Sequence, residues 1–132
     1  MLDIPVGQTG TASLLVAEEH TAPRVGSGRV HVLATPVMIN LMEAAALDAA
    51  EHLLPAGKQS LGTSLNIRHI AATPVGMHVT VTAKVTQVDG RTITFFVEAH
   101  DEKELIGDGE HQRVAVTVAR FDERVQRKLR GD

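Results

Sequence analysis

Residues 36–54 read Pro36-Val-Met-Ile-Asn-Leu-Met-Glu-Ala-Ala-Ala-Leu-Asp-Ala-Ala-Glu-His-Leu-Leu54, and this apolar segment predicts a single long helix. Thr35 and Pro36 suit the N-cap and the first helical position, and a proline and a glycine in residues 55–57 end the helix. A helix this apolar cannot lie on a surface, because it would expose most of its side chains to water. We therefore expect a sheet to wrap around it.

Glu43 is the chemical exception within this helix. At 100° per residue it shares a stripe with apolar residues, namely Ile39, Ala46, Leu47 and Ala50. A carboxylate in that setting loses hydration, so it needs a positive partner, a hydrogen-bond donor or a raised pKa. Such groups are enriched at active sites, whereas a glutamate at the edge of the stripe would simply extend into solvent. Periodicity alone leaves both interpretations open.

The rest of the chain carries strand patterns. Residues 12–17 are compatible with a strand, and from Ser60 onward apolar and polar side chains alternate with a period of two. Asp89-Gly90 and residues 101–104 are turn signals between successive strands. The pattern predicts an α+β domain in which one strand and the long helix precede an antiparallel meander.

The end of the chain combines a last strand with a helix. We predict the strand over residues 109–119, with three valines facing inward: Val114, Val116 and Val118. Basic residues gather in residues 120–130, but acidic residues interrupt them, which favours a solvated helix over a binding tail.

Composition excludes several classes of protein. A length of 132 residues predicts one domain over residues 1–132. The net charge of −3 and the scarcity of aromatic rings argue against a nucleic-acid surface. The chain has no cysteine, which excludes a thiol nucleophile and fits a reducing cytoplasm. No apolar run approaches the roughly 20 residues of a membrane span, and the N-terminus lacks a signal-peptide pattern, so we expect no membrane partner.

Three segments carry residues suited to chemistry. Residues 33–43 contain Thr35 and Glu43, residues 60–76 contain Gly62 and His69, and the third segment covers residues 104–113. Together these segments resemble the hot-dog-fold thioesterases, specifically the fluoroacetyl-CoA thioesterase-like subgroup. The resemblance implies a hot-dog fold, in which five or six antiparallel strands wrap around a central helix. It also implies a homodimer with active sites at the subunit interface.

The same resemblance assigns the site residues. Thr35, Glu43 and His69 match the catalytic residues of the family, and Gly62 matches the glycine whose backbone N–H faces the thioester oxygen. Thioester hydrolysis needs a nucleophile or activated water, a base and an oxyanion stabiliser, and these residue types supply them. Glu43 can orient the imidazole of His69, as a carboxylate does in Ser-His-Asp sites, or it can itself activate water or attack the carbonyl.

Each residue also has a purely structural interpretation. Thr35 can cap the helix, His69 can be a packed or exposed strand residue, and Gly62 can mark a β-bulge. The oxyanion donor can be the backbone N–H of Gly62 or the helix N-terminus. The other histidines lack spacings typical of zinc, so we expect no metal site. His111 and Arg113 lie in the third segment, where their role can be structural.

One segment departs from the family pattern. In the fluoroacetyl-specific enzyme, phenylalanines before the catalytic threonine form a hydrophobic lid, whereas residues 25–33 contain no aromatic residue. We therefore expect an acyl-CoA thioesterase that acts on a short or unusual acyl thioester of coenzyme A or a carrier protein. No cofactor is expected, because coenzyme A is part of the substrate. The alternative is a non-catalytic acyl-thioester binding protein on the same fold.

Overall fold

The computed structural model describes residues 2–131 as one antiparallel sheet with a long helix packed against it. The strands are β1 (Thr9–Leu15), β2 (Lys58–His69), β3 (His78–Asp89), β4 (Thr92–His100) and β5 (Leu105–Thr117). The helices are α1 (Ala22–Val25), α2 (Thr35–Ala50) and α3 (Val118–Arg130), with short 3-10 turns at Glu18–His20 and Glu51–Leu53. The strands are ordered β1-β3-β4-β5-β2, so β1 and β2 are the two edges.

The predicted central helix is confirmed, and it forms one side of the core. Met38, Met42, Ala45 and Ala49 of α2 are fully buried against the sheet. Burial of each large apolar side chain contributes about 1.5–3 kcal/mol to folding. The apolar composition of α2 is therefore explained by its position beneath the sheet. No helix of residues 2–131 combines the length and hydropathy needed to cross a membrane.

The ends of two elements differ from the sequence prediction. Regular α-helix ends at Ala50, and the chain continues in a 3-10 turn rather than in the same helix as far as Leu54. β5 ends at Thr117, so Val118 begins α3 instead of facing inward from a strand. The terminal helix is confirmed as exposed, since none of its residues is buried.

The inward face of β5 is also different from the prediction. Val114 and Val116 are only partly buried, whereas His111, Arg113 and Ala115 are buried. The valine alternation was correct as a strand pattern but assigned to the wrong face. Polar residues occupy inward positions here because they hydrogen-bond with one another, as described below.

A β-bulge in β2 determines which side chains reach the helix side of the sheet. The pairing of β2 with β5 shifts between Gly62 and Ser64. Gly62 lies opposite the inward-facing Arg113, and His69 lies opposite Gly107, which is on the same face of β5. Seven positions would put Gly62 and His69 on opposite faces of a regular strand. The extra residue restores the alternation, so both face α2.

β1 approaches α2 so closely that only glycine fits at position 10. A Cβ atom on Gly10 would overlap the backbone nitrogen of Ala49 and the backbone oxygen of Ala45. Backbone atoms cannot move aside as the tip of a side chain can. The small residues of α2 and Gly10 therefore set the distance between the helix and the sheet.

We predict that Gly10→Ala lowers the free energy of unfolding by about 3 kcal/mol, at the upper end of the range for overpacking, because α2 must shift away from β1. Urea denaturation measures the change. Ser13→Ala, at an exposed position of the same strand, is the matched control and should leave stability within about 0.5 kcal/mol of the wild type. Equal stability of the two variants would contradict the close packing.

Candidate functional site

Thr35 and His69 form a hydrogen-bonded pair at the N-terminal end of α2. The Thr35 hydroxyl lies 2.8 Å from His69 Nδ1. Ala34 occupies the N-cap position and Thr35 is the first helical residue, so the predicted capping role of Thr35 is wrong. No side chain within residues 2–131 caps the helix. The threonine hydroxyl instead contacts an imidazole from the far end of β2, a contact that helix formation does not require.

The environment of His69 favours its neutral form. Burial lowers the pKa of the imidazole below its ordinary value, and the nearby Ala71 carbonyl opposes this shift. Nε2 is buried and has no hydrogen-bond partner among residues 2–131. A neutral ring with its proton on Nε2 leaves Nδ1 free to accept a proton from Thr35. The pair therefore has the arrangement of a hydroxyl and its general base.

A cavity of about 350 Å³ opens beside this pair. Its walls include Thr35, His69 and the small residues Ala71 and Ala72, and its roof comes from residues 27–33. The volume is at the lower end of the roughly 300–1,000 Å³ typical of ligand sites. The reactive pair is thus accessible from a space suited to a short group.

Glu43 belongs to a second cluster farther along α2. Arg113 Nη1 donates to Glu43 Oε2 at 3.0 Å, and a Cβ atom on Gly62 would lie 2.5 Å from the same oxygen. The Glu43 side chain is 36% exposed, so it lies at the edge of the apolar stripe rather than within it. The positive partner expected for this carboxylate is Arg113. Glycine at position 62 leaves the space that the carboxylate occupies.

Arg113 is a buried cation whose charge is compensated on several sides. Its Nε donates to Ser60 Oγ at 2.8 Å, and Nη2 donates to the Ser60 carbonyl at 3.1 Å. Glu51 accepts hydrogen bonds from the Ser60 backbone N–H at 2.9 Å and from the Ser60 hydroxyl at 2.5 Å. A guanidinium without such partners would be expensive to bury. Glu43 and Ser60 therefore hold Arg113 beside Gly62, and Glu51 holds Ser60 in turn.

His111 connects this cluster to the bulge. Its Nδ1 lies 2.9 Å from the Ser64 carbonyl, and its Nε2 lies 3.2 Å from Arg113 Nη1. The ring is buried and stacks on Phe95 with 6.0 Å between centroids. Burial lowers the pKa of His111, and the Arg113 charge adds to that effect. Neutral His111 thus donates to the bulged strand and accepts from the guanidinium.

Sequence reasoning did not assign functional importance to His111 or Arg113. The available signal was their spacing, because two polar side chains two positions apart share one face of a strand. In the structure this strand pairs with other strands on both sides. Because such a face is expected to be apolar, two polar residues there indicate a hydrogen-bonded network. Among the residues that the structure describes, no cluster of histidine and acidic side chains could hold a metal ion.

The four residues assigned by resemblance form two separate pairs within one chain. Thr35 lies with His69, and Glu43 lies with Gly62. Thr35 and Glu43 are eight helical positions apart, about 12 Å along the axis. The strand distance from Gly62 to His69 is roughly 20 Å. No hydrogen bond or ion pair joins Glu43 to His69 within residues 2–131.

Comparison with known proteins assigns the class of this fold and site. The chain superposes with a TM-score of 0.89 on a solved structure of the fluoroacetyl-CoA thioesterase FlK, which is 35% identical and aligns over 96% of this chain and 98% of that chain. A thioesterase-superfamily member from Thermus thermophilus also gives a TM-score of 0.89, at 29% identity over all of both chains. The fold is therefore the hot-dog fold of thioesterases, as the sequence resemblance implied.

The family within this class follows from sequence. The fluoroacetyl-CoA thioesterase of Streptantibioticus cattleyicolor is 42% identical over 97 residues, which cover 74% of this chain and 70% of that protein. The model of the fluoroacetyl-CoA-specific thioesterase family matches residues 16–119. The chain belongs to this family.

The lowered pKa of His111 predicts a pH-dependent stability. Because the folded pKa lies below the unfolded value of about 6.5, the neutral ring stabilises the fold above that pH, and this stability is lost as the pH falls through the folded pKa. Replacement by asparagine retains an N–H donor but removes the titration. We expect His111→Asn to lose less unfolding free energy than the wild type between about pH 7 and about pH 5.

Urea denaturation at both pH values measures this difference. His52→Asn, at an exposed position, is the control and should keep the wild-type pH dependence. The same loss in His111→Asn and the wild type would show that His111 is not the titrating group.

Proposed function

We propose that the protein is an acyl-CoA thioesterase that hydrolyses a short or unusual acyl thioester to an acid and a free thiol. The observation that carries the proposal is the 2.8 Å contact between the Thr35 hydroxyl and His69 Nδ1 at the wall of the cavity. Family membership supports the same reaction, because the 42% identical relative is a fluoroacetyl-CoA thioesterase. We further propose that the enzyme acts in the cytoplasm without a cofactor.

The proposed reaction begins at this pair. Thr35 Oγ attacks the thioester carbonyl carbon while neutral His69 accepts the hydroxyl proton at Nδ1. In this proposal the N-terminus of α2, which no side chain of residues 2–131 caps, stabilises the oxyanion. The carbon–sulfur bond then breaks, and the departing thiolate takes the proton from His69. Water hydrolyses the threonyl ester in the second half, again with His69 as the base.

Glu43 offers a different route to the same products. Its Oε2 is held by Arg113, and its side chain remains partly exposed beside Gly62. In this version Glu43 activates water or attacks the carbonyl, and Thr35 positions the substrate. The hydrogen bond between Thr35 and a neutral imidazole supports the first version. The second version requires Glu43 to come close to the pair formed by Thr35 and His69. In the first version the same approach lets Glu43 orient the imidazole of His69.

We propose that a homodimer brings the two pairs together. β2 is an edge strand with two partly exposed leucines, Leu61 and Leu65, and an uncovered edge of this kind is suited to pairing with another strand. When two copies of one strand pair antiparallel about a two-fold axis, the numbers of the two residues in each facing pair have the same sum. An axis between Leu65 and Asn66 therefore sets Gly62 opposite His69 of the partner subunit. Glu43 then approaches the reactive pair of the other chain.

The cavity supports a short acyl group. Its roof contains glycine, serine, valine and arginine, with no aromatic residue in residues 25–33. The phenylalanine lid of the fluoroacetyl-specific enzyme thus has no counterpart in this segment. The part of the site that one chain supplies, about 350 Å³, has room for a few acyl carbons and part of a pantetheine arm.

We predict that Thr35→Ala and His69→Ala each reduce kcat/KM for acetyl-CoA or propionyl-CoA by about 10²–10⁴-fold. Thr35→Ser, which keeps the hydroxyl, should retain much more activity. A thiol-reactive dye measures the released coenzyme A. Thr80→Ala, at an exposed position of β3, serves as the control. Substrate binding without thiol release by the wild type would instead establish a non-catalytic binding protein.

The rate should also depend on pH in a defined direction. His69 must be neutral to accept the proton, and burial lowers its pKa. We therefore expect kcat/KM to be constant near neutral pH and to fall only below about pH 6.5. A rate that rises as the pH falls below that value would exclude His69 as the base.

A mixed dimer tests whether the site is shared between subunits. Glu43→Ala and Thr35→Ala homodimers should both be inactive, but their purified heterodimer contains one site with both residues intact. It should therefore recover about half of the wild-type activity. A heterodimer of wild type with the Glu43→Ala/Thr35→Ala double variant is the reciprocal control and should be inactive. An inactive mixed heterodimer together with a half-active reciprocal control would place both residues of a site in one chain. Elution as a monomer at micromolar concentration would contradict the dimer.

A further inference from the structure

The roof of the cavity carries a cation that is not neutralised by any of residues 2–131. Arg29 is exposed and lines the same cavity as Thr35 and His69. It makes no ion pair or side-chain hydrogen bond with any of residues 2–131. Arg68 is different, because Asp108 binds its Nε at 2.5 Å and its Nη2 at 3.0 Å. Arg29 therefore retains its full capacity for hydrogen bonding toward the cavity.

The segment that bears Arg29 is held in place at both ends. The Ala22 backbone N–H donates to the Val32 carbonyl at 2.9 Å, which closes the loop behind Arg29. His31 Nε2 lies 2.5 Å from Glu18 Oε1, which ties the same loop to the 3-10 turn at Glu18–His20. The backbone around position 29 is thus tied to α1 and to the 3-10 turn, and Arg29 lines the cavity.

The other walls leave Arg29 as the main electrostatic feature of the cavity. The remaining lining is mostly aliphatic, including Val30, Leu33, Ile70 and several alanines. His69 is kept neutral by its lowered pKa. Among the described residues that line this space, Arg29 alone carries a full charge at neutral pH. A guanidinium at the edge of a partly apolar site favours a carboxylate or phosphate, which it can bind through two parallel hydrogen bonds.

We propose that Arg29 is a specificity-determining residue that binds an anionic group of the thioester substrate. The inference rests on the proposed function. A thioester can present such a group in two places: a terminal carboxylate on a short dicarboxylic acyl group, or a phosphate of coenzyme A. A guanidinium recognises a carboxylate and a phosphate in the same way. In the first case the acyl group lies beside Arg29, and in the second case the coenzyme A part of the substrate does.

Four substrates distinguish the two sources. Butyryl and succinyl groups have the same number of carbons, but only the succinyl group ends in a carboxylate. Each is supplied as the coenzyme A ester and as the N-acetylcysteamine ester, which lacks the phosphates. The wild type is compared with Arg29→Gln, with Arg29→Lys as the variant that keeps the charge. Arg24→Gln, an exposed arginine of α1 that does not line the cavity, is the control.

Each source gives a distinct result. If Arg29 binds the acyl carboxylate, Arg29→Gln lowers kcat/KM for both succinyl esters by about tenfold or more and leaves both butyryl esters unchanged. If it binds a phosphate, the variant raises KM for both coenzyme A esters by a similar factor and leaves both N-acetylcysteamine esters unchanged. In either case Arg29→Lys, which keeps the charge, should show a smaller loss than Arg29→Gln on the affected esters. Arg24→Gln should behave as the wild type. Equal kinetics of Arg29→Gln and the wild type on all four esters, or an equal loss on all four, would overturn the proposal.

Failure of the proposed function has a separate signature. In that case the wild type releases no thiol from any of the four esters. Arg29 is then judged by calorimetric titration with free coenzyme A and with succinate. Binding of one of them at least about tenfold weaker to Arg29→Gln supports the anion site, whereas binding that is equal in both proteins, or absent in both, overturns it.

Discussion

The buried guanidinium of Arg113 is the interaction on which the local architecture of the Glu43 cluster depends. A cation in this position loses most of its hydration, and only well-placed acceptors make that loss tolerable. Ser60 and Glu43 supply those acceptors, and His111 completes the network. Removal of one of these acceptors would leave the buried cation without a compensating partner. The same bonds that stabilise the charge also orient the carboxylate of Glu43 toward the space left by Gly62.

The β-bulge gives this network its connection to the second pair of residues. His111 binds the carbonyl of Ser64, directly after the position where β2 changes register against β5. The extra residue directs both Gly62 and His69 toward α2 although they are an odd number of positions apart. His69 can then reach Thr35 at the helix N-terminus. Structural residues and candidate catalytic residues are therefore coupled through the backbone of one edge strand.

The edge position of that strand is the basis for the proposal that one chain carries two incomplete halves of a site. The edge strand carries Gly62 near one end and His69 at the other, and α2 separates Glu43 from Thr35 by more than two turns. No side chain spans that distance. In the proposed dimer, an antiparallel two-fold axis at this edge reverses the order in the second chain, so that each half meets the complementary half. The proposed dimer and the proposed chemistry thus follow from the same geometric constraint.

The local pattern of the sequence determined most of the secondary structure, because helix and strand formation depend on the spacing of apolar side chains. It predicted the central helix, the strands after Ser60 and an exposed terminal helix. It also indicated that Glu43 needs a partner, but not that the partner is Arg113, 70 residues away. Family resemblance supplied the names of the site residues, and their roles remain predictions. Only the tertiary structure decided the inward face of β5, the bulge and the pairing of Thr35 with His69, because these depend on strand register and on contacts between residues distant in sequence.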